Sequence, residues 1–324
     1  MGEQAFYGCE KLKEVNLCPN LLSINGAFAE CKGLVSIDIP DGIKELVNNE
    51  FCGCTSLSDV KLPSALEKIG HDAFFNCESL VSIDFPLTLT YIGYKAFYGC
   101  TKLEQITLHE NLSTLGYGAF MRCSGIKNVI YNPTKCEGVT WYSEDAHYSR
   151  FESCENLTNI NIGENVKVLP KSIFGGCGIS YINIPNSVES IGILAFSDCI
   201  NLEEVNIGKS VTNIGSSAFY GCELLKKIDI QAEQPPVCDD NVFYEVDTQN
   251  CTLVVPDNSY ELYSRANTWK DFLKIQTSGV SEIKIDNSMN DRTYYDLYGR
   301  EVQNPQNGLY IQRKGKITSK VFIP

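Results

Sequence analysis

A phenylalanine followed three residues later by a cysteine recurs along most of the chain, and no other feature narrows the choice of fold so far. The phenylalanines are Phe6, Phe28, Phe51, Phe74, Phe97, Phe120, Phe151, Phe174, Phe196 and Phe219. Their cysteines are Cys9, Cys31, Cys54, Cys77, Cys100, Cys123, Cys154, Cys177, Cys199 and Cys222. Successive phenylalanines lie 22, 23, 23, 23, 23, 31, 23, 22 and 23 residues apart. Self-similarity at a fixed short period is the signature of a stacked repeat architecture.

The copy that starts at Ala73 shows the grammar of a unit. Ala73, Phe74 and Cys77 open it. Leu80, Ile83 and Phe85 then alternate as the inward residues of a short strand, and Pro86 stops it because proline cannot donate to the next ladder bond. Leu89 and Ile92 form a second apolar pair, and Gly93 follows at a turn expected to need positive φ. A unit this small cannot bury its apolar face alone, so it must stack on its neighbours. Parallel strands spaced roughly 4.8 Å apart would carry ten rungs over about 45–50 Å, with the phenylalanines as an internal spine.

The unit A-F-x-x-C-x-x-L-x-x-I-x-I-P-x-x-[VL]-x-x-I-G resembles the BspA-like leucine-rich-repeat family of bacterial surface proteins over about residues 1–232. Glu50 and Ile173 depart from it at the alanine, and Leu46-Val47 departs at the Ile-Gly turn. The resemblance implies a right-handed leucine-rich-repeat solenoid of about ten 23-residue repeats, with parallel β ladders and short helices or turns in each rung. It also implies surface display and adhesion to proteins or other host extracellular macromolecules.

Three segments are expected: the solenoid at 1–232, a C-terminal cap at 233–277, and a small β module at 278–324. In the cap, Leu253-Val254-Val255-Pro256 reads as a strand and Tyr260 to Trp269 as a short amphipathic helix. In the tail, Tyr294-Tyr295-Asp296-Leu297-Tyr298-Gly299-Arg300 and Asn307-Gly308-Leu309-Tyr310-Ile311 resemble the C-terminal sorting modules of Bacteroidetes exported proteins. That likeness implies an extracellular or cell-surface location, with a signal peptide trimmed or lying outside this sequence. The opening inside a repeat points the same way, to a chain cut from a longer one.

Composition excludes several function classes. A net charge of −13 argues against nucleic acid and anionic membranes, both of which demand basic patches. No apolar run is long enough to span a bilayer. No phosphate-binding or dinucleotide glycine motif occurs, and no cofactor is expected. Cys52-Gly53-Cys54 is half a zinc motif without its second half. Of the three histidines, His71 and His109 sit at variable outward positions, which leaves His147 alone with freedom to act. The chain reads as a non-enzyme. Ten of the fifteen cysteines share one column and are expected to be buried thiols, whereas Cys136, Cys238 and Cys251 are better placed for oxidation.

Candidate binding residues fall into three groups. The strand register gives two outward polar columns, one through Ser36, Asp59, Gln105, Asn128 and Asn159, the other through Asp38, Lys61, Thr107, Ile130 and Asn161. They are either a solvated sheet face or a recognition surface. On the opposite side His71, Tyr94 and Tyr117 run beside Phe75, Tyr98 and Met121. That stripe is either a set of exposed interface anchors or a seal over the turns. Finally, the unit between Phe120 and Phe151 is eight residues too long. Its surplus, 134–150, carries Trp141, Tyr142, His147 and Tyr148, either packed on neighbouring rungs or forming a platform for a ligand, with a glycan as the alternative to a protein.

Overall fold

The computed structural model describes residues 1–136, 149–278, 293–295, 301–302, 308–314 and 317–323 of the 324-residue chain. The first two stretches form a parallel β-solenoid. Its longer strands pair rung to rung, Ser36–Asp38 with Asp59–Lys61, then Gln105–Leu108 with Asn128–Tyr131 and Asn159–Ile162. A further ladder runs through Tyr181–Ile184, Glu204–Ile207, Lys227–Ile230, Thr252–Val255 and Lys274–Thr277. A second ladder of two-residue strands runs through Glu45–Leu46, Lys68–Ile69, Tyr91–Ile92 and Thr114–Leu115, and again from Val168–Leu169 to Val237–Cys238. Strands such as Asn159–Ile162 and Tyr181–Ile184 alternate exposed and buried residues, so a slip of one position would turn their apolar column into solvent.

The expected outward columns are the observed register: Gln105 faces Asn128, which faces Asn159, and Thr107 faces Ile130, which faces Asn161. The rungs keep to one of the two expected kinds of connection. They are joined by turns, and the helical elements among the described residues are confined to the cap. The rung of Leu80, Ile83 and Phe85 buries all three side chains but forms no ladder strand, so inward packing holds it.

The phenylalanine spine is continuous. From Phe6 to Phe243 consecutive rings stack with centroids 4.9–5.9 Å apart and planes within 26°. Phe120 and Phe151 stack at 5.1 Å, so the spine runs on across the longer unit. Every ring from Phe28 to Phe219 is fully buried, whereas Phe6 on the first rung is only half-buried.

The cysteine column has a bonding reason. Each thiol from Cys31 to Cys222 donates to the carbonyl of the phenylalanine one rung earlier: Cys54 Sγ to Phe28 O at 3.1 Å, Cys123 Sγ to Phe97 O at 3.0 Å, Cys154 Sγ to Phe120 O at 3.1 Å. A weak donor the size of a small apolar residue thus gives its buried S–H a partner, at a carbonyl that also accepts a backbone N–H, as Phe28 O does from Cys31 N–H at 3.2 Å. Burial pushes these thiols up, Cys199 to about 12, which keeps them from acting as nucleophiles near neutral pH. None of the fifteen cysteines, Cys136, Cys238 and Cys251 included, is joined in a disulfide, so the expected oxidation outside the column is not seen.

Past residue 232 the ladder does not break. Phe243 stacks on Phe219, and Phe272 and Trp269 pack edge-on against Phe243 to close the core. Trp269 Nε1 donates to Pro236 O at 2.9 Å and the Tyr263 hydroxyl to Ala232 O at 2.8 Å, which allows both large side chains to be buried. The expected helix is shorter than its pattern. It covers Tyr260–Tyr263, and a 3₁₀ turn at Trp269–Asp271 follows Thr268, whose φ of 69° is incompatible with a continuous helix. The C-terminal strands Thr293–Tyr295, Glu301–Val302, Gly308–Lys314 and Ile317–Ile323 form a small antiparallel sheet.

Candidate functional site

The edge of the solenoid that carries the Ala-Phe turns is built by two left-handed residues per rung. They fall two positions before and two positions after the spine phenylalanine: Asp72 and Asn76 around Phe74, Ser172 and Gly176 around Phe174, Ser217 and Gly221 around Phe219. Between them the ring points inward and the next residue points outward. Phe74 N–H donates to Ala96 O and Phe97 N–H to Ala119 O, each at 2.7 Å, so this edge is itself bonded from rung to rung.

The glycines of the Ile-Gly turns do a different job from the expected one. Gly70, Gly93 and Gly116 do not adopt positive φ. A Cβ on Gly93 would lie 2.6 Å from His71 N, and one on Gly116 would lie 2.4 Å from Gly93 C. They are required because adjacent backbones touch there.

Outward residues form a column down the edge: Phe75, Tyr98 and Met121, then Glu152, Gly175 and Ser197, then Tyr220 and Tyr244. Phe75 and Tyr98 stack at 4.6 Å with planes 4° apart, and Tyr220 and Tyr244 stack at 5.6 Å and 1°. The Arg122 guanidinium lies 5.6 Å from the Tyr98 ring centre, and Lys95 Nζ lies 5.0 Å from that of Tyr94. Tyr94 is half-buried, and its N–H donates to His71 Nδ1 at 2.8 Å, which makes that histidine a brace between rungs.

Of the two readings of the stripe, exposed anchors or a seal over the turns, Tyr117 takes the second. That ring is only 8% exposed because the Arg150 guanidinium covers it at 4.2 Å. Met121 is buried as well. Arg150 occupies the alanine position before Phe151 and is itself fully buried. It donates to Lys171 O and, at 3.4 Å, to Leu115 O, while Nη2 has no partner. Trp141, Tyr142, His147 and Tyr148 lie outside the described residues.

Two features were missed by reading the sequence, though each left a signal. The Tyr220–Tyr244 stack follows from carrying the outward column past residue 150. Beside it, where the column holds Glu152, Gly175 and Ser197, the edge opens into a notch of about 430 Å³. Its signals are Gly175-Gly176 and the 22-residue step from Phe174 to Phe196.

The family model of the BspA type leucine rich repeat region matches in six copies, over residues 1–86, 44–143 and 144–271. Among solved structures, a leucine-rich repeat protein from Bacteroides ovatus is similar at 26% identity with a TM-score of 0.59, over 79% of this chain and 66% of that one. This chain therefore spans just under two thirds of that relative's length. A leucine rich cell surface protein from Faecalibacterium prausnitzii is 25% identical over 71% of this chain and 68% of its own, with a TM-score of 0.42. No curated protein matches the chain. The comparisons indicate no catalytic family, and no helix among the described residues is long and apolar enough to cross a membrane. With its repeat grammar, stacked spine and parallel ladders all accounted for, the chain belongs to the BspA-type leucine-rich-repeat family.

Proposed function

We propose that this repeat scaffold is non-catalytic and works at the cell surface or after secretion, docking a protein or other host extracellular macromolecule on its turn edge. The observation that carries this is the pair of aromatic stacks, Phe75–Tyr98 and Tyr220–Tyr244, held outward on a rigid bonded edge. Tyr244 is 56% exposed and has no need to be aromatic for the core. Rigid aromatic side chains give large contact area at little entropic cost and are the usual anchors of protein interfaces. The strand face offers less, since its outward columns are tied into rung-to-rung pairs such as Lys227–Glu204 at 2.8 Å and Asn159–Asn128 at 3.1 Å.

The test is capture of immobilised host extracellular proteins by the intact protein and by two double variants, Phe75→Ser with Tyr98→Ser and Tyr220→Ser with Tyr244→Ser. A tenfold loss of affinity in either, about 1.4 kcal/mol, supports the turn edge. Undiminished capture by both variants, at unchanged thermal stability, removes it. Glycan recognition through Trp141, Tyr142, His147 and Tyr148 is the other reading; a glycan array probed with and without residues 134–150 separates it from the first.

A further inference from the structure

The aromatic column of the turn edge is interrupted between its two stacked pairs, and the interruption is built by the chain itself. Gly175 leaves no side chain where the rungs before carry Phe75, Tyr98 and Met121. After Cys177 the turn is one residue short, and it closes so tightly that a Cβ on Gly178 would lie 2.1 Å from Glu155 O. The resulting notch of about 430 Å³ falls in the size range of ligand clefts, roughly 300–1,000 Å³.

Two of its hydroxyls are unspent, while Glu152 Oε2 already accepts from Ser149 N–H at 3.2 Å. Ser149 and Ser172 line it at 4% and 2% exposure, and neither hydroxyl has a hydrogen-bond partner. A buried hydroxyl left unpaired costs about 1–3 kcal/mol, so two in one recess mark a place built to bond something. Ser197 spends its proton on Leu194 O at 3.4 Å and keeps its lone pairs. Glu152, Glu155 and Asp198 add carboxylates, and no lysine, arginine or histidine is among the described lining residues. The recess at the first rungs, beside Ala29 and Cys52, differs here: it has no buried side-chain polar atom lacking a partner.

An acceptor-rich recess with no cation among its described lining residues suits a positively charged donor. A metal ion is a poor fit, because no group of three or more His, Cys, Asp and Glu side chains among the described residues could hold one. A sugar ring would want an aromatic face, and none of the described lining residues is aromatic. An alkylammonium fits both ends. Its three donors suit two hydroxyls and a carboxylate, and its apolar stem can lie along Ile200, which is 61% exposed at the rim.

We propose that this notch receives the ammonium group of a lysine side chain on a protein partner, held by the Ser149 and Ser172 hydroxyls and the Glu152 carboxylate, with Asp198 at the rim. The proposal rests on the protein-binding reading above and names the chemistry of the partner.

The experiment is an amide-resolved NMR titration of the intact protein with an end-blocked Gly-Gly-Lys-Gly-Gly peptide. The same peptide with norleucine in place of lysine, N-acetylglucosamine and galactose serve as the other probes. The lysine peptide is expected to shift the amides of Ser149, Ser172, Gly175 and Gly176 saturably, more weakly as salt is raised, and the norleucine peptide to leave them still. Glu152→Gln combined with Asp198→Asn should weaken the lysine peptide tenfold or more, and Gly175→Tyr, which fills the notch, should abolish its effect. Equal shifts from norleucine, indifference to both variants, silence at these amides, or shifts from a sugar alone would each overturn the proposal. No host protein enters this titration. A silent notch therefore counts against the lysine site alone, and stripe variants with undiminished capture count against the docking edge alone.

Discussion

Between Phe74 and Phe120 the repeat is nearly regular, with Ala73, Ala96 and Ala119 before the spine rings and Gly93 and Gly116 at the backbone contacts. Between Phe151 and Phe196 the same frame is rewritten. Arg150 and Ile173 replace alanine, Pro170 stands where the turn glycine would, the outward column loses its aromatics, and one residue is missing after Cys177. Yet Phe174 is as fully buried as Phe97, and both regions keep the thiol-to-carbonyl bond. A solenoid needs its spine and its ladders, and each rung meets only its neighbours, so departures stay local. They accumulate on the turn edge, where a side chain can change without disturbing the next core layer.

The largest effect should therefore be common to both regions. Phe97→Ala and Phe174→Ala are each expected to cost roughly 3–5 kcal/mol, read as the loss of unfolding free energy in urea. A loss under 1 kcal/mol at either position would contradict the shared spine. Phe6→Ala, on the half-buried first rung, should cost clearly less.

A smaller effect should divide the regions. Gly93→Ala places a Cβ 2.6 Å from His71 N and 2.7 Å from Gly70 C, both backbone atoms that cannot step aside. Overpacking of that kind costs about 1–3 kcal/mol. Gly175→Ala meets the Ser197 hydroxyl first, at 3.0 Å, beside an open notch, and its cost should be markedly smaller. Equal losses of thermal stability would mean that the notch is as closely packed as the regular rungs.

The strand register was legible residue by residue because a period of two leaves no freedom once the apolar column is known. Ser36 opposite Asp59 and Tyr181 opposite Glu204 follow from counting alone. The turn edge was legible only in part. Gly93 could be seen to matter, but close backbone approach and positive φ leave the same letter in the sequence. Tyr117 stayed open between anchor and seal because the residue that covers it, Arg150, lies at the far end of the surplus segment, on the next rung. The notch required noticing an absence of bulk at Gly175 together with a missing residue after Cys177. Neither has a side chain to announce it.

The finest test compares two charges placed in the alanine column, Glu50 in the first half and Arg150 at the start of the second. Glu50 is fully buried, with its carboxylate accepting from Gly26 N–H at 2.9 Å and Ala27 N–H at 3.0 Å. Burial raises its pKa, and the backbone N–H bonds oppose that without cancelling it. A carboxyl whose folded pKa exceeds its unfolded value, about 4.3 for glutamate, holds more protons in the folded state. Ionised Glu50 therefore costs stability near neutral pH, and that cost disappears as pH falls through the folded pKa toward the unfolded one. Glu50→Gln keeps the size and one acceptor oxygen but cannot titrate. On acidification from pH 7 to pH 5, urea unfolding should show the natural protein gaining stability relative to Glu50→Gln. Arg150 stays charged over that range, so Arg150→Gln should shift stability by the same amount at both pH values. If the natural protein instead loses ground to Glu50→Gln, the two N–H bonds outweigh desolvation, and Glu50 is a stabilising anion in its rung.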